Sequence, residues 1–151
     1  MNELNENNLT EQSLIEWFQN QGYEYFKGSE VNPGQSNALR EGFREVVLKD
    51  KLLGAIRRIN PTLPTEQAER VTKEVSEYSN EDLMLGNKEF YSWITNGKKT
   101  SWRENGEEKS DFVKIIDLDN SEQNEFTIIN QYTVQGLNNV CRFDAIIFIN
   151  G

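Results

Sequence analysis

Apolar residues recur at helical spacing as far as Gly97 and at strand spacing from Lys98 onward. Leu14, Ile15 and Phe18 form one stripe on a helix that Thr10 is placed to cap, that runs to about Gln21, and that Gly22 ends. Tyr23 to Phe26 is short, aromatic and strand-like, and Gly28 to Gln35 has the Gly, Pro and Asn content of a loop. A second helix is expected from Glu41 to Ile59, carrying Phe43, Val46, Val47, Leu52, Leu53, Ile56 and Ile59, with Asn60-Pro61 as its stop. Thr65 opens a third, with Ala68, Val71 and Val75 on one face, and Asn87 to Thr95 forms a fourth on Phe90, Trp93 and Ile94. Four strands follow: Thr100 to Arg103, turning at Asn105-Gly106, then Phe112 to Leu118, Glu125 to Val134 and Val140 to Ile149. Helices first and strands after predict a mixed α/β (α+β) fold, with the N-terminal helices packed on a mixed sheet. Met1 to Asn8 reads as a polar tail and 9–151 as the folded part.

Composition narrows the chemistry. The chain has 151 residues, 36% of them hydrophobic, enough for one core. No apolar run approaches a membrane span, and the acidic, polar start lacks the pattern of a signal peptide. A single cysteine, Cys141, leaves no internal disulfide framework, so a reducing, cytoplasmic setting is expected. The complete absence of histidine excludes His-dependent nucleophile systems, His general bases and His-based zinc sites. Catalysis, if any, rests on Asp, Glu, Lys, Tyr or an oxygen-ligated metal such as Mg²⁺. A net charge of −9 argues against a simple DNA-binding module, which carries a basic stripe. It does not exclude a nuclease, whose metal site gathers carboxylates.

Val140 to Ile149 is apolar on both faces, the pattern of a central strand, and Asp144 interrupts it. A carboxylate there is costly unless it is paired or faces a cleft. Pairing with Arg142, two residues away on the same face, is one reading, and the residues alone favour it. A metal-ligating carboxylate is the other. Asn150-Gly151 is a hairpin dipeptide with no strand after it in the chain, which suggests a fragment whose next strand is missing.

The set Asn130-Gln131, Arg142-Phe143-Asp144 and Asn150-Gly151 resembles the N-terminal region of the R (restriction) subunit of type I restriction enzymes. Thr10-Glu11 through Gly22-Tyr23-Glu24-Tyr25, Glu45 to Pro64, Asn87 to Gly97 and Asn124-Glu125-Phe126 fit the same family, so the resemblance spans about residue 9 to 151. It implies a restriction-endonuclease-like PD-(D/E)XK core, truncated after the strand that bears the aspartate. Asp144 would be the catalytic aspartate and first metal ligand, with Phe143 where the motif usually has proline. Glu11 would be a second, helix-borne metal ligand, although a glutamate in a helix's first turn is also what the helix dipole favours. The Glu-x-Lys half of the site would lie past Gly151. The family implies Mg²⁺ at the nuclease site, ATP in translocase domains elsewhere, DNA as substrate, and modification (methyltransferase) and specificity subunits as partners. The fragment alone is expected to be inactive. No GxxxxGK[ST] phosphate loop occurs here.

Two other classes compete with this reading. One is an acidic, non-enzymatic interaction protein that mimics DNA; the mixing of bases among the acids speaks against it. The other is a stand-alone nuclease-fold module, which would need its own Glu-x-Lys. Lys49, Lys51, Arg57 and Arg58 make a small basic cluster, read as a solvated helix face before a phosphate contact. Lys98-Lys99 with Trp102 and Arg103 is either a DNA-contacting hairpin or a lysine-protected edge. Trp17, Tyr23, Tyr25 and Phe26 read as core.

Overall fold

The computed structural model describes residues 6–151, with side chains from residue 10. The element order is α1 (Glu6–Asn20), β1 (Glu24–Lys27), α2 (Gly28–Val31), α3 (Lys49–Ile59), α4 (Thr65–Ser76), α5 (Leu83–Asn96), β2 (Lys98–Glu104), β3 (Glu107–Val113), a 3₁₀ turn (Ser121–Gln123), β4 (Phe126–Gln135) and β5 (Val140–Ile149). The mixed α/β expectation holds. The chain forms two compact units, one from Met1–Val46 with Glu125–Ile149, the other from Val47–Asn124 with Asn150–Gly151.

In the first unit, β1, β4 and β5 form a mixed sheet in that order. β1 runs parallel to β4, with Tyr25 opposite Ile128, and β5 runs antiparallel to β4, with Ile128 opposite Ile147. Its core holds Ile15 of α1, Val31 of α2, Ile128, Ile129 and Tyr132 of β4, and Phe148 of β5. Helix α1 starts four residues before Thr10, so Thr10 is not its cap. Nothing from Met1 to Leu9 is Gly or Pro, and no backbone constraint stops the helix from starting early. The first part of the expected Gly28–Gln35 loop is the short helix α2.

The second expected helix begins only at Lys49. The polar groups of the preceding segment are committed elsewhere. Glu41 N–H donates to its neighbour Glu45 Oε2 (2.9 Å), and Gln135 N–H of β4 takes the Phe43 carbonyl (2.8 Å). The Arg40 guanidinium donates to the carbonyls of Glu45 (2.9 Å) and Thr133, 3.8 Å above the Tyr132 ring and 5.4 Å from Phe43. Burial lowers the Arg40 pKa, with Tyr132 and Glu45 opposing.

In the second unit, α3 and α4 bury Leu52, Ala55, Ile56, Ala68, Val71 and Val75 together with Val113 and Ile115. Each large apolar side chain contributes roughly 1.5–3 kcal/mol on burial. Exposed ion pairs such as Arg57–Glu69 (2.9 Å) and Lys49–Glu77 (3.4 Å) add about 0–1 kcal/mol each, so apolar packing sets this unit's stability. Helix α5 starts at Leu83, earlier than expected, because Asp82 Oδ1 accepts from the N–H groups of Met84 (3.0 Å) and Leu85 (3.1 Å). Gly97, at φ 83°, ends it. The hairpin of β2 and β3 turns on Asn105 (φ 52°) and Gly106 (φ 86°).

The expected strand Phe112–Leu118 ends at Val113. Three asparagine side chains take the backbone groups that a strand partner would use. Asn60 accepts from Lys114 N–H (2.9 Å) and donates to Lys114 O (2.8 Å). Asn124 brackets Asp117 in the same way (2.9 and 2.8 Å), and Asn150 donates to Ile115 O (2.9 Å).

β5 matches its expected range, Val140 to Ile149, but not its expected place. Among the described residues it has β4 as its one neighbour and stands at the sheet edge. Phe148 is buried, whereas Val140, Phe143, Ile147 and Ile149 are exposed. The alternation specifies two apolar faces, and only one of them is covered here. No helix among the described residues is long and apolar enough to cross a membrane.

Candidate functional site

The two carboxylates singled out from sequence lie in the first unit. Asp144, on β5, is exposed and forms no ion pair with Arg142, which is also exposed. The Arg142 reading is therefore not realised, and solvent removes the burial cost expected for an aspartate in an apolar strand. Glu11 lies in the second turn of α1, because the helix begins at Glu6. The dipole explanation for its presence loses force there, since that effect is confined to the first turn.

Glu11 is held by two amides of β4. Asn130 Nδ2 donates to its Oε1 at 2.8 Å and Gln131 Nε2 to its Oε2 at 3.1 Å. The pairing of β4 with β5 steps from Asn130↔Ala145 to Tyr132↔Phe143, which leaves Gln131 opposite Asp144. Gln131 has φ 49°, a left-handed conformation in the middle of a strand, and the ladder skips it. Gln131 thus binds Glu11 and occupies the register position across from Asp144.

Tyr25, on β1, has its phenol pKa raised by burial and further by the charges of Glu11 and Glu30. Among the described residues no three Asp, Glu, Cys or His side chains gather into a metal-binding group. The sequence expectation gave Asn130 and Gln131 no role. Two adjacent amides between Ile128-Ile129 and Tyr132 in EFTIINQYTV were the signal available.

The basic candidates are mostly occupied. Arg57 pairs with Glu69, Arg58 Nε donates to Gln123 O (2.8 Å), and Lys49 pairs with Glu77. Lys98 binds Glu74 (3.1 Å) and lies 4.0 Å from the Trp93 ring centroid. Of the aromatic residues, Tyr23 packs between Phe18 (4.8 Å) and Phe126 (5.2 Å), as core residues do. Trp17 departs from the core expectation: it is 57% exposed, with its ring edge-on to Phe18.

The family model for the type I restriction enzyme R protein N terminus matches residues 3–151. A Methanocaldococcus jannaschii protein bearing the name of type I restriction enzyme MjaIXP endonuclease subunit is 40% identical over 151 residues. The type I restriction enzyme HindI endonuclease subunit of Haemophilus influenzae is 30% identical over 149 residues. Each alignment covers 98% of this chain and 14% of the relative, so the chain spans about one seventh of their length.

Proposed function

The chain belongs to the type I restriction enzyme R protein N-terminal family, and from that membership we propose that it is the nuclease-bearing region of a restriction subunit. In this reading its fold is the first part of a PD-(D/E)XK core. Asp144 is the catalytic aspartate, and Asp144 and Glu11 are ligands of Mg²⁺. The observation that carries the reading is the link from Glu11 through Gln131 to the register position of Asp144. It joins the opening helix, the Asn-Gln pair and the Arg-x-Asp strand, three segments that have no reason to converge in a DNA mimic.

The donors suit the ion. Mg²⁺ takes hard oxygen ligands, and the candidates are carboxylates in a chain without histidine. Asp144 is exposed and uncommitted to Arg142, and each Glu11 oxygen accepts one amide bond and keeps a further lone pair. When bound, the ion supplies charge stabilisation at phosphorus and a more acidic water. The chain's part is to hold the two carboxylates in place. Asn150 (φ 64°) and Gly151 (φ 94°) carry the same backbone signs as Asn105-Gly106, which turns β2 into β3. A continuation would turn back along the open side of β5 and bring Glu-x-Lys there. ATP-driven translocation belongs to the rest of the subunit, the modification and specificity subunits complete the complex on DNA, and the setting is cytoplasmic.

The test uses the full-length subunit assembled with those partners. Asp144→Ala is expected to slow Mg²⁺-dependent cleavage of a target plasmid by about 10²-fold or more. Cleavage at the wild-type rate would sink the reading. The chain by itself, given Mg²⁺, is expected to leave the plasmid uncut; nicking that disappears in Asp144→Ala would show that it needs no Glu-x-Lys.

A further inference from the structure

The amides that hold Glu11 are themselves fixed. Asn130 Oδ1 accepts from the Gly28 N–H at 3.1 Å, so its Nδ2 is left to face Glu11. Gly28 approaches this closely because it lacks a Cβ; one built there would lie 2.2 Å from the Asn130 carbonyl oxygen and 2.8 Å from that of Gln131. The Gln131 amide has no choice either, because an ionised carboxylate accepts and cannot donate. With Nε2 on Glu11, Gln131 Oε1 is left buried without a hydrogen-bond partner. An orphan buried acceptor is destabilising, because it loses its hydrogen bonds to water without replacing them. The left-handed backbone at Gln131 adds a further cost, since a side chain with a Cβ rarely adopts it. Two costs at one residue persist where the surroundings over-determine it, and such residues cluster at functional sites.

We infer that Asn130 and Gln131 are positioning residues for the cleavage reaction. Their amides set the Glu11 carboxylate in one orientation, and Gln131, which binds it, occupies the register position across from Asp144. The chain of constraint runs from the Gly28 N–H through Asn130 to Glu11, with Gln131 closing the other oxygen. This rests on the reading of Glu11 and Asp144 as ligands of one divalent cation. The rival explanation is that the amides merely fasten α1 to the sheet.

The experiment measures Mn²⁺ binding to the full-length subunit by calorimetry without DNA, and the Mg²⁺ requirement for cleavage by the assembled enzyme. Gln131→Gly keeps the backbone conformation and removes the amide. Asn130→Asp places an oxygen where Glu11 now meets a donor. Both are expected to weaken Mn²⁺ binding by about 10–100-fold and to raise the half-saturating Mg²⁺ by a similar factor. Gln131→Asn, with a shorter amide and tolerance of the left-handed region, is expected to fall between them and wild type. A merely fastening role lowers the melting temperature and leaves both cation readouts unchanged, which overturns the inference. Should Asn130→Asp fail to fold, Gln131→Gly decides, since glycine relieves the backbone cost. Asp144→Ala separates the two levels. If it too leaves both readouts unchanged, the parent reading fails; if it alone removes them, only the positioning inference fails.

Discussion

Gly28 sets the distance between α2 and β4, and through it the orientation of Asn130. Gly28→Ala must push its Cβ away from the two β4 carbonyls, breaking the N–H bond to Asn130. Such overpacking costs about 1–3 kcal/mol, so a lowered melting temperature is expected. An unchanged melting curve would mean that α2 is free to move and that the constraint on Asn130 is weak. At this scale the sequence was legible where residue type is chemically loaded. The absence of histidine pointed to oxygen-ligand chemistry, whereas Asp144 in an apolar strand read by itself as a partner of Arg142 and became a ligand candidate only through the family resemblance. Asn130 and Gln131 were not legible as a site, because an amide's role depends on what it faces. That partner, Glu11, is 119 residues from Asn130 in sequence. Glu11 itself was read against the wrong background, since only the observed start of α1 shows it to lie beyond the first turn.

The elements that followed their hydrophobic period formed over close to their expected ranges: α4, the Asn105-Gly106 hairpin, β4 and β5, although β5 lies at the sheet edge rather than its centre. The misses share a cause. Where side chains satisfy the backbone, an apolar pattern no longer implies a ladder or a helix. Residues 114–118 look like strand by pattern, but Asn60, Asn124 and Asn150 serve their backbone instead. Residues 41–48 look helical, yet Arg40, Glu45 and Gln135 claim part of their polar backbone. The 114–120 turn also responds to pH. Asp117 has its pKa lowered, first by the Asn120 N–H and also by Lys114 and the Asp119 N–H. Its folded pKa is below the unfolded one, so its contribution is present above the unfolded carboxyl pKa and is lost as pH falls through the folded value. Hydrogen-exchange protection of residues 114–124 is expected to drop on acidification. Asp117→Asn should lose less protection between neutral and acid pH than wild type; an equal loss would assign the effect to another carboxylate.

At the scale of the molecule, β5 is the feature with most at stake. Its outer edge is open among the described residues, and Val140, Phe143, Ile147 and Ile149 stand exposed at 43–65%. Unpaired N–H and C=O groups beside exposed apolar side chains form a template for another strand. The net charge of −9 opposes association without covering that edge. The chain handled alone is expected to self-associate with rising concentration and salt, as measured by sedimentation. Ile147→Lys should return it toward monomer, and a variant that associates like wild type would place the contact elsewhere. The same edge bears on the order in which a longer polypeptide is made. At a synthesis rate of about 5–20 residues per second, a strand placed just after Gly151 in such a polypeptide would emerge within about a second or two of β5. In that case the order of synthesis, more than any charge on the strand itself, would guard this edge against aggregation.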